Sequence, residues 1–305
     1  MNTVTEKNIV ALGGGTGLPL VLRACVELGY HPSAIVTMAD DGGSSGRLRR
    51  ELGINPPGDV RNCLVALASE EERDFASVLG YRFVAGEGLE GHAMGNLIIA
   101  ALTDLAGSFE QAVKFMERHL AVRGRVLPST FEDMQLQGLD RSGKPISGQE
   151  SLASNAVAIA EVYSTPPSPK PNPEAITALE HADVILIGPG SLYTSIIPNL
   201  LVGGITEAIA QSHARVIYFC NVANMRGETA GFDSYDHVKA LCDHGLTDVI
   251  DIVIVPDGEM CADHRETATS LVELGVEPLF FDVTDFEDPT RHGFDAMCAV
   301  LRQVL

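Results

Sequence analysis

Ile9-Val-Ala-Leu-Gly-Gly-Gly-Thr-Gly17, running on into Leu-Pro-Leu-Val-Leu-Arg-Ala-Cys-Val-Glu-Leu28, is the stretch on which the fold turns. Four apolar residues without polar alternation suit a strand buried on both faces, as in a parallel sheet covered by helices. The apolar segment after the turn has helical character, and Pro19 is tolerated in a first helical turn. Strand, glycine turn and helix in that order aim backbone N–H groups and the positive end of a helix dipole at phosphate. No Gly-Lys-Ser/Thr follows, so this is not a Walker loop. Leu18 stands where the third glycine of a dinucleotide fingerprint would fall. Gly13, Gly14, Gly15, Thr16 and Gly17 are the candidate phosphate contacts, and a glycine-rich turn without a ligand is the alternative.

Outward from this turn, strand-length apolar runs recur at Ala34–Met38, Val184–Ile187, Val216–Cys220 and Ile252–Val255, most of them leading into a polar or glycine-bearing turn. The pattern predicts a Rossmann-like, doubly wound α/β fold with a mostly parallel sheet. Between the second and third runs the texture changes. Helical patterns at Val60–Ala68, Asn96–Leu105 and Glu110–Leu120 precede strand-like segments at Val122–Leu127 and Phe131–Leu139 and a hairpin-type turn at Asp140–Lys144. This predicts one nucleotide-binding domain, with a core over about 1–60 and 174–305 and an inserted α+β subdomain over about 70–163. Ser164 to Pro173 carries five prolines and returns the chain to the core. Phe294, Met297, Cys298, Leu301 and Val304 follow helical spacing and form a closing helix.

Bulk composition narrows the partners. Of 305 residues, 45% are hydrophobic and 20% charged, the balance of a globular protein rather than a disordered one. Forty-one acidic against 21 basic side chains give a formal charge of -20, which repels nucleic acid and anionic membrane. A small anion is admitted only where amides, a helix N-terminus, local arginines or a metal ion overcome that field. The six cysteines lie far apart with no metal-ligand spacing, which reads as reduced thiols. Neither a signal peptide nor a run of membrane-spanning length is present, so a cytoplasmic protein without membrane insertion is expected.

Further candidate loops follow the other strands. Asp40-Asp41-Gly42-Gly43-Ser44-Ser45-Gly46-Arg47 offers two carboxylates, two hydroxyls and a basic residue. These residues suit Mg²⁺ (with Asp41 the candidate ligand), a hydroxyl nucleophile, or a ribose. They also suit a capped turn, with Ser44 or Ser45 as N-cap of a helix at Arg47–Leu52. Arg47 supplies countercharge for a diphosphate, whereas Arg49 and Arg50 read as a solvated helix face. Asp59 either caps the helix that follows or joins Arg61 and Asn62 at the ligand. His92 and Asn96 open another helix in Gly91-His-Ala-Met-Gly-Asn96; the histidine is an acid/base candidate or a structural residue. Gly188-Pro-Gly190-Ser191, with Thr194, repeats the strand-then-glycine pattern. Asn221, Asn224 and Thr229, in the loop that also carries Arg226, follow the next strand, and the asparagines and threonine suit a base or sugar.

Taken in order, GGGTGLP at Gly13, ADDGGSSGRLR at Ala39, PPGDVRNCLVALA at Pro56, GHAMGNL at Gly91, GRVLPST at Gly124 and GPGSLYTSIIPNLL at Gly188 closely resemble the gluconeogenesis factor family. That family comprises bacterial UDP-sugar-binding proteins related to 2-phospho-L-lactate transferase of deazaflavin cofactor synthesis. The resemblance implies a Rossmann-like core that binds UDP-N-acetylglucosamine and acts in control of carbon metabolism, cell shape and envelope synthesis. By motif it places Gly14, Gly15, Thr16 and Gly17 at phosphate, Asp40 and Asp41 at a metal or acceptor, and Gly190, Ser191 and Thr194 at the nucleotide. The chain departs from the family in reading NVANMRGET where a Met-Thr-Gln-Pro run precedes Gly-Glu-Thr. Two functions compete: a nucleotide-sugar-binding regulator without turnover, homodimeric or not, and a Mg²⁺-dependent phospholactyl transferase in which Asp40 and Asp41 work. A dehydrogenase ranks third because the glycine spacing is wrong.

Overall fold

The computed structural model describes residues 7–225, 227–257 and 264–305; Arg226 and the thiol of Cys261 lie outside them. Among the described residues ten strands form: β1 Ile9–Gly13, β2 Ser33–Val36, β3 Arg125–Pro128, β4 Gln135–Asp140, β5 Pro145–Ser147, β6 Ile159–Thr165, β7 Val184–Ile187, β8 Arg215–Phe219, β9 Ile252–Pro256 and β10 Glu277–Phe281. Seven make the main sheet in the order β10-β9-β8-β7-β1-β2-β3, all parallel. Strands β4, β5 and β6 make a separate antiparallel sheet. The chain steps from β1 to β2 and β3 on one side, then returns to lay β7 against the other side of β1. That reversal is the topological switch point of a Rossmann-type sheet, the place where such sheets bind ligands.

Burial explains why the strands lack polar alternation. Val10 and Leu12 of β1 point into one buried cluster with Ile35, Ile185 and Ile187, while Ile9 and Ala11 point into another with Ala34, Val36, Val184 and Leu186. Successive side chains of a strand face opposite sides, so a strand covered on both sides must be apolar throughout. The second cluster is covered by helices Gly17–Glu27, Gly58–Leu67, Phe109–His119 and Phe294–Val304, among others, and the first by helices such as Pro173–Glu180 and Ser234–Leu241.

The strand expected over 122–127 forms at Arg125–Pro128 but lies in the main sheet, paired with β2, and not with the antiparallel strands. The strand expected over 131–139 begins at Gln135. Leu136, Ile146, Leu152, Ile159 and Val162 of the antiparallel portion lie in the same buried cluster as Val10 and Leu12, so the two sheets share a core. β10 has no counterpart among the expected strands: its apolar stretch, Leu279 to Phe281, is short and follows Pro278, a residue confined to strand edges. Among the described residues no single helix is long and apolar enough to cross a membrane.

Leu136 is fully buried where the small sheet meets the main one. Leu136→Ala is expected to destabilise the protein by about 2–5 kcal/mol in urea unfolding followed by circular dichroism. The transition should remain single, because the sheets share one core. A second transition of its own would show that the small sheet folds separately.

Candidate functional site

The crevice at the switch point is built from two glycine turns. After β1, Gly13 to Thr16 lead into helix Gly17–Glu27; after β7, Gly188 to Ser191 lead into a short wide-turned segment, Leu192–Ile196. The turns approach closely enough that a Cβ on Gly17 would lie 2.1 Å from the Pro189 carbonyl oxygen, and one on Gly14 would lie 2.5 Å from the Thr37 methyl. Gly15 sits at φ +62° and Gly188 at φ +74°, in the left-handed region that favours glycine. Asn199, fully buried, donates its side-chain N–H to the Gly13 carbonyl at 3.2 Å and to the carbonyls of Ser195 and Ile196. Gly190 N–H donates to Asn221 Oδ1 at 3.4 Å, bringing in the loop after β8.

A carboxylate lies directly beneath the first turn. Asp59 Oδ2 accepts the Gly15 N–H at 2.8 Å. Asp59 does not cap its helix: Pro57 occupies that position, and the carboxylate turns to the glycine turn instead. Burial, and then the neighbouring Asp40, push the Asp59 carboxyl up to about 6. Asp40 is likewise raised by burial, against hydrogen bonds from Ser45 and from the Gly42 amide. Two carboxylates of raised pKa thus lie beside the first turn, close enough for the charge of Asp40 to act on Asp59.

Asp41 has a different task. Its oxygens accept the Gln149 and Glu150 N–H groups at 3.0 and 2.9 Å, holding helix Gln149–Ala153 of the antiparallel portion onto the core. Both oxygens are engaged by these amides. Ser44 and Ser45 are not caps either. The helix begins at Gly43, with Gly42 as its N-cap. Both hydroxyls are committed elsewhere: Ser45 accepts the Gly58 N–H, while Ser44 bonds His92 Nδ1 at 2.9 Å and accepts from Asn96 at 3.0 Å. Burial and the nearby Arg47 lower the His92 pKa. Arg47 donates to the Glu90 carbonyl, and Arg49 is no solvated side chain, since it pairs with Asp133 and donates to Met134 O.

Around the second turn, Ser191 donates to Met225 Sδ. Thr194, nearly fully buried, donates to Glu228 Oε1 at 2.5 Å, and the Tyr193 N–H donates to the other Glu228 oxygen. Glu228 is wholly buried, and that burial raises its pKa. Asn224 donates to Phe232 O, and Asn62 accepts from Arg61. The crevice therefore gathers Gly13 to Gly17, Asp40, Asp59, Gly188 to Ser191 and Asn221. Thr194 and Asn224 brace its walls, and Ser44, Arg47 and Asn96 form a neighbouring cluster beside the Asp40 turn. Glu228 and Asn199 escaped the sequence reading; their one signal was a polar residue isolated in a glycine-rich or apolar run.

The family profile described as 2-phospho-L-lactate transferase CofD matches residues 9–297. The chain belongs to that family. It is 48% identical over 258 residues to the gluconeogenesis factor of Halalkalibacterium halodurans, covering 85% of this chain and 80% of that protein. It is 46% identical over 313 residues to the gluconeogenesis factor of Bacillus subtilis, covering 98% of each. A crystal structure of a Bacillus halodurans protein superposes with a TM-score of 0.90 at 41% identity, covering 98% of this chain and all of the other. These relatives support a regulatory or CofD-like role.

The charge on Asp59 costs stability where it is ionised. Below about pH 3.8 the group is neutral folded and unfolded; between 3.8 and about 6 only the unfolded chain ionises it freely, and above 6 the penalty is complete. Asp59→Asn keeps an acceptor for the Gly15 amide and removes the charge. At pH 8 the variant should be more stable than the wild type by about 1–3 kcal/mol, with the gain gone near pH 4. Equal urea midpoints at pH 8 would show that solvent already relieves the carboxylate.

Asp41→Ala should cost about 0.5–2 kcal/mol, the range of a lost helix cap. Hydrogen exchange should rise selectively over 149–153. Unchanged exchange there would show that the clamp is redundant.

Proposed function

We propose that the protein is a nucleotide-sugar-binding regulator of carbon metabolism, cell shape and envelope synthesis, acting in the cytoplasm, and that the crevice between the Gly13–Gly17 and Gly188–Ser191 turns takes the diphosphate of UDP-N-acetylglucosamine. The observation that carries the reading is the meeting of two glycine turns at the carboxyl ends of the adjacent strands β1 and β7, on either side of the switch point. The Gly15 amide holds an anionic oxygen, that of Asp59, in the structure as it stands. An amide so aimed also suits phosphate. Thr16 and the first turn of helix Gly17–Glu27 add the positive end of a helix dipole. The relatives named gluconeogenesis factor support the regulatory side of the reading.

The Asp40–Asp59 pair favours a second reading, a Mg²⁺-dependent transferase of the phospholactyl class. Among the described residues no group of three or more His, Cys, Asp or Glu side chains converges as a ready metal cage. Two carboxylates raised by burial, Asp59 also by the charge of Asp40, nevertheless fit an ion that keeps its waters and takes phosphate oxygens. Mg²⁺ bound there supplies countercharge for a nucleotide diphosphate. Asp40 and Asp59 would hold it, Ser45 and the Gly42 amide would orient Asp40, and the glycine turns would position the phosphates. Asp41, engaged with helix Gln149–Ala153, is left out of this set.

A thermal-shift titration separates the readings. UDP-N-acetylglucosamine at about 100 times its Kd should stabilise the wild type by about 2.7 kcal/mol. Gly17→Ala, which forces the two turns apart, should weaken binding at least tenfold with the far-ultraviolet spectrum retained. No shift with any uridine or guanosine nucleotide would end the binding proposal. Turnover of a nucleotide-activated lactyl donor on a deazaflavin acceptor, dependent on Mg²⁺ and lost in Asp59→Asn, would favour the transferase.

A further inference from the structure

Beside the crevice, on the β2 side of the sheet and away from β7, lies an open groove of about 900 Å³. Gly43 and Ser44 form its inner end, Arg47 and Arg50 one wall, and Arg82 with the glycine-bearing loop that ends at Gly91 the other. Arg47 and Arg50 are three residues apart on helix Gly43–Leu52 and so share a face. Arg82 reaches in from a different part of the chain.

The three guanidinium groups are fixed in place without being neutralised. Arg47 donates to the Glu90 carbonyl at 2.7 Å, Arg82 to the adjacent Gly91 carbonyl at 2.6 Å, and Arg50 to the Asp41 carbonyl at 3.3 Å. Glu87 and Glu90 also line the groove, but among the described residues no carboxylate lies within ion-pair distance of any of the three arginines. Two guanidinium groups anchored on consecutive carbonyls repel one another. Their field also reaches outward: Arg47 and Arg82 both disfavour protonation of His92, and Arg82 opposes the charge on Arg61. In a chain with nearly twice as many acidic as basic side chains, three guanidinium groups gathered on one groove without ion-pair partners are what a multivalent anion relieves.

We propose that the Arg47–Arg50–Arg82 groove is a second ligand site, for a compact organic polyanion bearing phosphate or several carboxylates, separate from the nucleotide crevice. The volume falls within the range of small-molecule pockets and exceeds what one inorganic phosphate fills. Planar guanidinium forks engage phosphate and carboxylate oxygens in pairs, and each arginine retains N–H groups beyond the one given to a carbonyl. The backbone of Gly43 and Ser44, at the start of a ten-residue helix with no side-chain cap, lies at the same end of the groove. The proposal stands whether or not the crevice binds a nucleotide sugar, because none of its arguments uses that ligand.

The experiment is calorimetric titration of the full chain with pyrophosphate, with citrate and with UDP-N-acetylglucosamine. Wild type is compared with the double variant Arg50→Gln/Arg82→Gln, which leaves Arg47 and both glycine turns intact. The expected result is binding of pyrophosphate or citrate that weakens steeply with added salt and falls at least tenfold in the double variant, while the response to UDP-N-acetylglucosamine stays within twofold. Preference for pyrophosphate identifies a phosphorylated metabolite, and preference for citrate a polycarboxylate. Polyanion binding undiminished in the double variant would assign the anion to the glycine turns and overturn the proposal. So would parallel loss of polyanion and nucleotide-sugar binding, which would make the groove an arm of the crevice. Absence of binding by both polyanions at millimolar concentration would overturn it as well.

Discussion

The contact between Gly17 and the Pro189 carbonyl governs the rest of the site. Two loops from neighbouring parallel strands can meet backbone to backbone only if no side chain stands between them, and a Cβ at Gly17 would lie 2.1 Å from that oxygen. Because they meet, the two turns form one wall-to-wall junction at the strand ends, and Asn199 can bridge from the second segment to the Gly13 carbonyl. The same logic operates one strand away. Gly46 lets helix Gly43–Leu52 lie against the Asp41 carbonyl, where a Cβ would come within 1.7 Å, and so sets the position of Ser44, Ser45 and Arg47. Gly95 makes room for the Arg61 stem in the same way. Glycine is retained at these positions because the packing leaves no room for more.

Carboxylates divide into braces and groups placed beside the glycine turns. Asp41 and Glu228 receive pairs of hydrogen bonds from protein donors and act as clamps. Asp41 ties the antiparallel portion to the loop after β2, and Glu228 ties the loop after β8 to the segment after β7. Asp40 and Asp59 are different. Desolvation raises both, with the charge of Asp41 adding to it at Asp40 and that of Asp40 adding to it at Asp59, and Asp59 spends part of its acceptor capacity on the Gly15 amide. A fold that retains two strained carboxylates beside a phosphate-type cradle gives up stability there, a trade common at functional sites. Arg61, itself disfavoured by burial and by Arg82, faces both carboxylates and only partly offsets them.

The negative surface and the positive groove are parts of one electrostatic design. A formal charge of -20 discourages extended polyanions, so any anion must be recognised at short range by fixed donors. On the proposed reading, the glycine turns do this with amides and the Arg47–Arg50–Arg82 groove with guanidinium groups. Each side chain of that groove is oriented by a main-chain carbonyl, which preorganises it without neutralising its charge.

Periodicity and glycine placement are local properties, and they were enough to locate β1, β2, β7, β8 and β9, the turns at their carboxyl ends, the hairpin at Asp140–Lys144 and the closing helix. They failed where an element takes its character from its neighbours. β3 reads like part of an insert because nothing in Arg125–Pro128 records that β2 is its partner, and β10 is an edge strand only because β9 lies beside it. The site divides along the same line. The turns whose backbones approach each other, Gly13 to Gly17 and Gly188 to Gly190, were legible because a glycine run after a buried strand marks a tight turn locally. Residues that act through side chains were not. Asp59 meets Gly15 across 44 residues, Asp41 meets Gln149 across 108, and Thr194 meets Glu228 across 34. Which carboxylate lies under the glycine turn and which holds the wall is decided by those long-range hydrogen bonds, so it exists only once the chain has packed.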